Sequence, residues 1–239
     1  MCIRDRIKPA KLFFSNHSFL VNTEYANQAV YRTPVIHLLI SFSYIFTDSH
    51  SYIPFIILQI LATFLTSFLL VKMIGDIAIV YKLFIIIVFL FNPNVISSVH
   101  LIQSEIFTMF FFTTTFYFIN RYYKISSNKL YCIMAGLFLG TTILTRPSVV
   151  FLLLLLPIIF YILKCKSFKD LIHLKKNFKH LSNGLLSFIL ALIIIFPWMT
   201  FVKSIEGKYA ITSSESRYRF VWDQAIYISA LSDNISYEK

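Results

Sequence analysis

Charge is scarce in this chain of 239 residues. Only 14% of them are Asp, Glu, Lys or Arg, against about 25% in a soluble globular domain. Hydrophobic residues reach 57%, above the roughly 45–50% of such domains, and mean hydropathy is +0.72. Water cannot cover that much apolar surface, so lipid must solvate most of the fold. Glycine (5) and proline (7) are too few for a collagen-like or low-complexity chain, and the apolar excess excludes disorder. Three cysteines do not make a disulfide scaffold. Cys2, Cys132 and Cys165 show no metal-ligand spacing, and the last two fall in or beside apolar runs. The six histidines form no H-x-x-x-H pair, so the pattern of a structural zinc site is missing.

Acidic residues are the scarcest charges, 11 against 22 Lys and Arg, for a net charge of +11. The cations sit in short clusters between apolar runs. That pattern orients membrane helices and does not track a phosphate backbone, so no nucleic acid is expected as a partner. What the chain has in plenty is aromatic: 26 Phe and 14 Tyr, suited to a helical bundle with aromatics at its interfaces.

A bilayer-crossing helix needs about 20 mostly apolar residues. The sequence predicts an all-α, polytopic transmembrane bundle over 52–201 with about six spans. They fall near 52–71, 77–100 (with Pro93 inside), 105–120, 130–145, 148–163 and 182–201, the last closing on Phe196-Pro-Trp198. Three loops are basic: Lys72 to Lys82, Arg121 to Lys129, and Lys164 to Lys179. Alternating spans put all three on one side, which positive charge marks as cytoplasmic. The expected location is therefore the cytoplasmic (inner) membrane, with residues 7–51 and 202–239 outside. Within that first outer region, 34–47 is apolar but too short to span. It reads as a helix at the outer interface, with a buried core helix as the alternative.

The ends read differently. Met1-Cys-Ile-Arg-Asp-Arg6 is unlike everything after it and is expected to be an artefactual leader, so Asp5 carries no functional expectation. The chain stops after Asn234-Ile-Ser-Tyr-Glu-Lys239 without a closing apolar span, and a fragment is expected.

The polar residues beside the spans converge on the outer side. Glu105 opens the third span, where an ionisable group is costly and often functional. The alternative is that Ser104 caps the helix and Glu105 complements its positive end. Arg146, in Leu144-Thr-Arg-Pro147, reads as a fork for phosphate oxygens or as a side chain snorkelling to headgroups. Arg32, in Tyr31-Arg-Thr-Pro34, admits the same two readings. His100 and Gln103 precede Glu105 and read as substrate contacts or as ordinary loop residues. Gly136 and Gly140 form a G-x-x-x-G that lets helices approach closely. Together these residues suit a lipid-linked phosphate, with arginine on the phosphate and a carboxylate at a hydroxyl.

The order of these motifs resembles that of bacterial membrane glycosyltransferases of the GT-C fold. Within it, the resemblance is to the family 39-like enzymes related to protein mannosyltransferases and the lipid A aminoarabinose transferase. Tyr31-Arg-Thr-Pro34 resembles their R-P-P-x-Y-P element, Phe91-Asn-Pro-Asn94 their N-P kink, and Gln103-Ser-Glu-Ile-Phe107 their S-E-x-x-F. Ala135-Gly-Leu-Phe-Leu-Gly-Thr-Thr-Ile-Leu-Thr-Arg-Pro147 is similar to G-L-x-x-G-L-a-x-L-T-R-P. Phe196-Pro-Trp-Met-Thr200 is similar to P-W-x-x-R-N, with Phe201-Val202 in place of Arg-Asn. The resemblance spans about residues 10–220. It implies inverting transfer of a sugar from a polyprenyl-phosphate donor to a lipid, glycan or protein acceptor at the extracytoplasmic face. It further implies that Arg32 and Arg146, with Tyr31, Gln103 and His100, line the substrate site. Glu105 is then the acidic residue that orients the acceptor, or helps hold a divalent metal ion where one is used. No other cofactor is implied. The family's usual base is an Asp in the first outer loop; Ala10-Lys-Leu-Phe13 resembles the end of that stretch, which implies that the Asp belongs where the leader stands. Two other classes compete. A multi-pass transporter or lipid flippase fits the many spans but calls for repeated halves, and no internal repeat is present. A membrane glycan polymerase of another fold calls for one long outer loop.

Overall fold

The computed structural model describes residues 4–16, 30, 32–46, 52–75, 78–124, 128–163 and 174–212. Every described element is helical: α1 (Arg4–Asn16), α2 (Pro34–Ser43), α3 (Ile53–Ile74), α4 (Ile79–Leu90), α5 (Pro93–His100), α6 (Glu105–Lys124), α7 (Lys129–Thr145), a 3-10 turn (Pro147–Val149), α8 (Phe151–Ile162) and α9 (Leu174–Glu206). Packing runs as a row. α4 lies on α3, α3 on α6, α6 on α7, α7 on α9 and α9 on α8, while α1 packs on α2, which rests on α7 and α3.

The breaks between helices follow from local chemistry. Asn92 precedes Pro93, which disfavours helical backbone at Asn92, and Asn92 is extended (φ −64°, ψ 123°). Its side chain then accepts from Asn94 N at 2.9 Å and caps α5. The stretch expected as one span over 77–100 is thus two helices bent by 52°. Arg146 precedes Pro147 and is extended as well (φ −147°, ψ 106°), which ends α7 at Thr145. Inside the apolar helices, polar side chains are satisfied by their own backbone. Thr66 bonds Ala62 O, Thr114 bonds Phe110 O and Thr142 bonds Phe138 O, each at 2.7 Å.

Among the described residues two helices are long and apolar enough to cross a bilayer, α3 and the 178–206 part of α9, and the bent α4–α5 pair makes up to three. Length and hydropathy thus support two or three of the six spans expected from apolar runs. α6 carries Glu105, Asn120, Arg121 and Lys124 with several threonines and tyrosines, and α7 has only 17 residues. Two boundaries also need correction. Residues 7–51 are not only loop with one helix, since α1 runs Arg4–Asn16, held by Ala10, which is fully buried against α2 and its neighbours. It begins inside the stretch read as a leader. The last helix covers Leu174–Glu206 instead of 182–201, because Leu-Lys-Lys-Asn-Phe-Lys is good helix-forming sequence. Residues 174–179 of the expected basic loop are thus helical. The expected 34–47 helix ends at Ser43.

One end of the row gathers cations. Met73 O, in the last turn of α3, accepts from Asn120 Nδ2 and Lys124 Nζ, both at 2.9 Å, and Lys72 and Arg121 lie in the last turns of the same two helices. Lys129 opens α7 on the turn that follows. Glu105 lies at the opposite end of α6 and Arg146 at the opposite end of α7.

Candidate functional site

Two arginine segments meet at that opposite end because both break before a proline. Thr33, between Arg32 and Pro34, is extended (φ −71°, ψ 149°). Its hydroxyl donates to Thr145 O at 3.0 Å, across 112 residues of sequence, in a buried contact. Arg32 and Arg146 each adjoin this bond, so the two segments run side by side.

Glu105 is the first residue of α6, where the positive end of the helix dipole favours a carboxylate. Arg146 Nη1 donates to Glu105 Oε1 at 3.3 Å. The side chains are 48% and 34% exposed respectively, so solvent screens the pair and its contribution to stability is modest. Glu105 Oε2 is buried and has no hydrogen-bond partner among the described residues. A buried acceptor oxygen left unpaired is costly, and it suits a hydroxyl donor brought by a ligand. Arg146 has further donors on Nη2 and Nε in the planar fork that matches phosphate oxygens. At Ser104 the backbone carbonyl accepts from both the amide and the hydroxyl of Thr108, each at 2.8 Å.

The other candidates divide. Arg32 is partly buried beside Thr33. Gln103 enters through its backbone, its amide donating to Leu101 O at 2.8 Å in the turn before Glu105. His100 is exposed at the end of α5, and no hydrogen bond or ion pair joins it to Glu105 or Arg146 among the described residues. Tyr31 lies outside the described residues. Three residues that sequence reasoning passed over shape this end: Thr33 and Thr145 through their mutual bond, and Gln59, fully buried on α3, whose amide donates to Leu101 O at 3.0 Å. A glutamine in the first half of a largely apolar 22-residue helix was the available signal.

A divalent ion does not fit the described side chains. Beyond the first turn of α1, only Glu105 and Glu206 among them carry carboxylates, and no three His, Cys, Asp or Glu residues gather among the described residues. Such an ion takes about six oxygens, and a guanidinium already faces Glu105.

The G-x-x-x-G motif is a packing device. A Cβ on Gly136 would overlap the Ser187 backbone, and one on Gly140 would lie 2.8 Å from Ile194 Cβ. Both glycines let α7 press against α9. Beyond them the chain turns at Gly207 (φ 73°) and folds back, with Trp198 Nε1 donating to Ile211 O at 2.8 Å.

No family model matches the chain, and neither a curated protein nor a solved structure is significantly similar to it.

Proposed function

We propose that this chain belongs to a membrane-embedded glycosyltransferase that takes a sugar from a polyprenyl-phosphate donor at the outer face of the cytoplasmic membrane. The observation that carries this reading is the Glu105–Arg146 pair, at the end of the bundle remote from its basic turns. Arg146, with Arg32 alongside, holds the donor phosphate. Glu105 Oε2 accepts the hydrogen bond of the acceptor hydroxyl. That hydroxyl oxygen attacks the anomeric carbon in line, the carbon–oxygen bond to phosphate breaks, and its electron pair leaves with the polyprenyl phosphate. Arginine stabilises the charge that develops there, and the hydroxyl proton passes to a base outside the described residues.

The same reading takes six apolar segments as spans. Its support is helix length, since α6 has 20 residues and α7 has 17, inside the range of about 17–25 that bilayers accept. The cations of the α3, α6 and α7 turns then face the cytoplasm.

The test is transfer from a radiolabelled polyprenyl-phosphate sugar in membrane vesicles with and without the chain. Glu105→Gln and Arg146→Ala are each expected to lower turnover by about tenfold or more, as loss of a charge-stabilising group does. Unchanged rates in both variants remove the site assignment. Movement of labelled lipid between leaflets without any transfer replaces this reading with a lipid flippase.

A further inference from the structure

A glutamine side chain in an apolar spanning helix costs free energy unless its amide is bonded. Gln59 is such a residue. It sits six positions into α3, about 9 Å from that helix's outer end at 1.5 Å per residue, and its side chain is fully buried. Its Nε2 faces the carbonyls released where α5 stops and α6 has not begun: Leu101 O at 3.0 Å, Ser98 O at 3.3 Å and Gln103 O at 3.5 Å. Leu101 O also accepts from Gln103 N at 2.8 Å, so a tight turn closes on the same oxygen. Ile102, at the tip of that turn, is buried with Val95, Val99, Ile106 and Phe107. Irregular backbone at membrane depth survives only where protein groups satisfy it, and here one side chain does so for the turn that delivers Glu105.

We infer that Gln59 is a positioning residue, which fixes the Leu101–Gln103 turn and thereby holds the first residue of α6 against Arg146. This rests on the proposed use of Glu105 for its catalytic consequence, but the placement itself is open to measurement without any substrate.

Cysteines placed as Glu105→Cys and Arg146→Cys, with Cys2, Cys132 and Cys165 replaced by Ala, give a pair whose cross-linking by a short bifunctional thiol reagent reports the distance between the two positions. In the full chain in membranes, adding Gln59→Met keeps side-chain volume but removes the amide, and is expected to slow cross-linking by about tenfold, as a displacement of about 1 Å can. Gln59→Asn draws the amide back by one methylene and is expected to act in the same direction, which keeps the test informative should the Met variant fail to fold. Thr63→Val is the control. Its hydroxyl is buried one turn along the same helix and bonds only Gln59 O within that helix, at 2.8 Å, so cross-linking is expected to be unchanged. In the transfer assay, with positions 105 and 146 native, Gln59→Met is expected to lower kcat and leave the donor KM within about twofold, as loss of a transition-state contact does. Unaltered cross-linking in a folded Gln59 variant, or equal slowing by Thr63→Val, overturns the inference. Absence of transfer in the parent as well as in every variant, with the cross-linking pattern intact, overturns the glycosyltransferase reading and leaves the positioning role standing.

Discussion

Gly136→Ala is the severest small change that the α7–α9 interface can receive. The added Cβ would lie 2.9 Å from Ser187 Cα and 3.0 Å from Ser187 C, and closer still to the Ser187 carbonyl oxygen. Carbon atoms in contact sit about 3.5–4.0 Å apart, so the helices must separate by about 1 Å. Both partners are backbone, and no rotamer can yield. Such overpacking costs about 1–3 kcal/mol. The same separation stretches the bond from Ser187 Oγ to Cys132 O, now 2.7 Å, and its loss removes about 1 kcal/mol more. Replacing glycine inside a helix returns about 1 kcal/mol. The net destabilisation is about 2 kcal/mol, which for a chain of this size lowers the unfolding midpoint by roughly 4–8 °C. Cys132 is fully buried on α7 and serves as its own reporter. With Cys2 and Cys165 replaced by Ser, the temperature at which Cys132 reacts with a thiol dye in detergent gives the midpoint. A Gly136→Ala midpoint equal to or above that of the parent would refute the close-packing argument.

The remaining predictions are smaller in scope. Thr33→Val removes the bond to Thr145 O and is expected to cost about 1 kcal/mol, read as a lower midpoint in the same dye assay. Burial, reinforced by the neighbouring Tyr52, pushes the Tyr44 phenol above its ordinary value of 10.0. The fold therefore favours the neutral phenol, and that contribution, fully present below pH 10, is lost as pH rises further. The unfolding midpoint should fall above pH 10, and Tyr44→Phe should flatten that fall.

Helix positions were legible because apolar runs and X-Pro breaks are local. Tyr52 to Val71 announces α3, and Thr145-Arg-Pro147 announces the stop of α7 that frees Arg146. The number of spans was less so. Pro93 and the Asn-Pro kink marked the bend at Asn92, but the run over 77–100 has the length of one span, and the polar content of α6 weakens a segment whose length alone suffices. The helix Arg4–Asn16 escaped because its support is tertiary, from Ala10 packed under α2, and no periodicity in a short mixed segment declares that. In the site, residue types pointed to Glu105 and Arg146 as separate outer-face groups, but their 3.3 Å approach depends on Thr33 meeting Thr145 and on Gln59 holding the turn before α6. Those are contacts between residues 42 to 112 positions apart. Composition and spacing contain nothing about them.

The charges at the site carry a consequence of their own for the proposed reaction. Arg32 and Arg146 against Glu105 sum to one positive charge. A polyprenyl-phosphate sugar is a phosphodiester with one negative charge, so the bound donor leaves the site neutral. After transfer the lipid phosphate becomes a monoester, whose charge at neutral pH is about −1.5 to −2. The occupied site is then net negative, and although solvent screens part of that excess, it favours departure of the product. Glu105→Gln raises the empty site to two positive charges and shifts that balance toward retention. Beyond lowering kcat, this variant is therefore expected to lower the apparent KM for the donor and to be inhibited more strongly by added polyprenyl phosphate. Arg146→Ala works in the opposite sense, raising donor KM and weakening product inhibition. Equal product inhibition in the parent and in Glu105→Gln would separate the carboxylate from the phosphate site and leave Glu105 as a helix-end charge complement to its dipole.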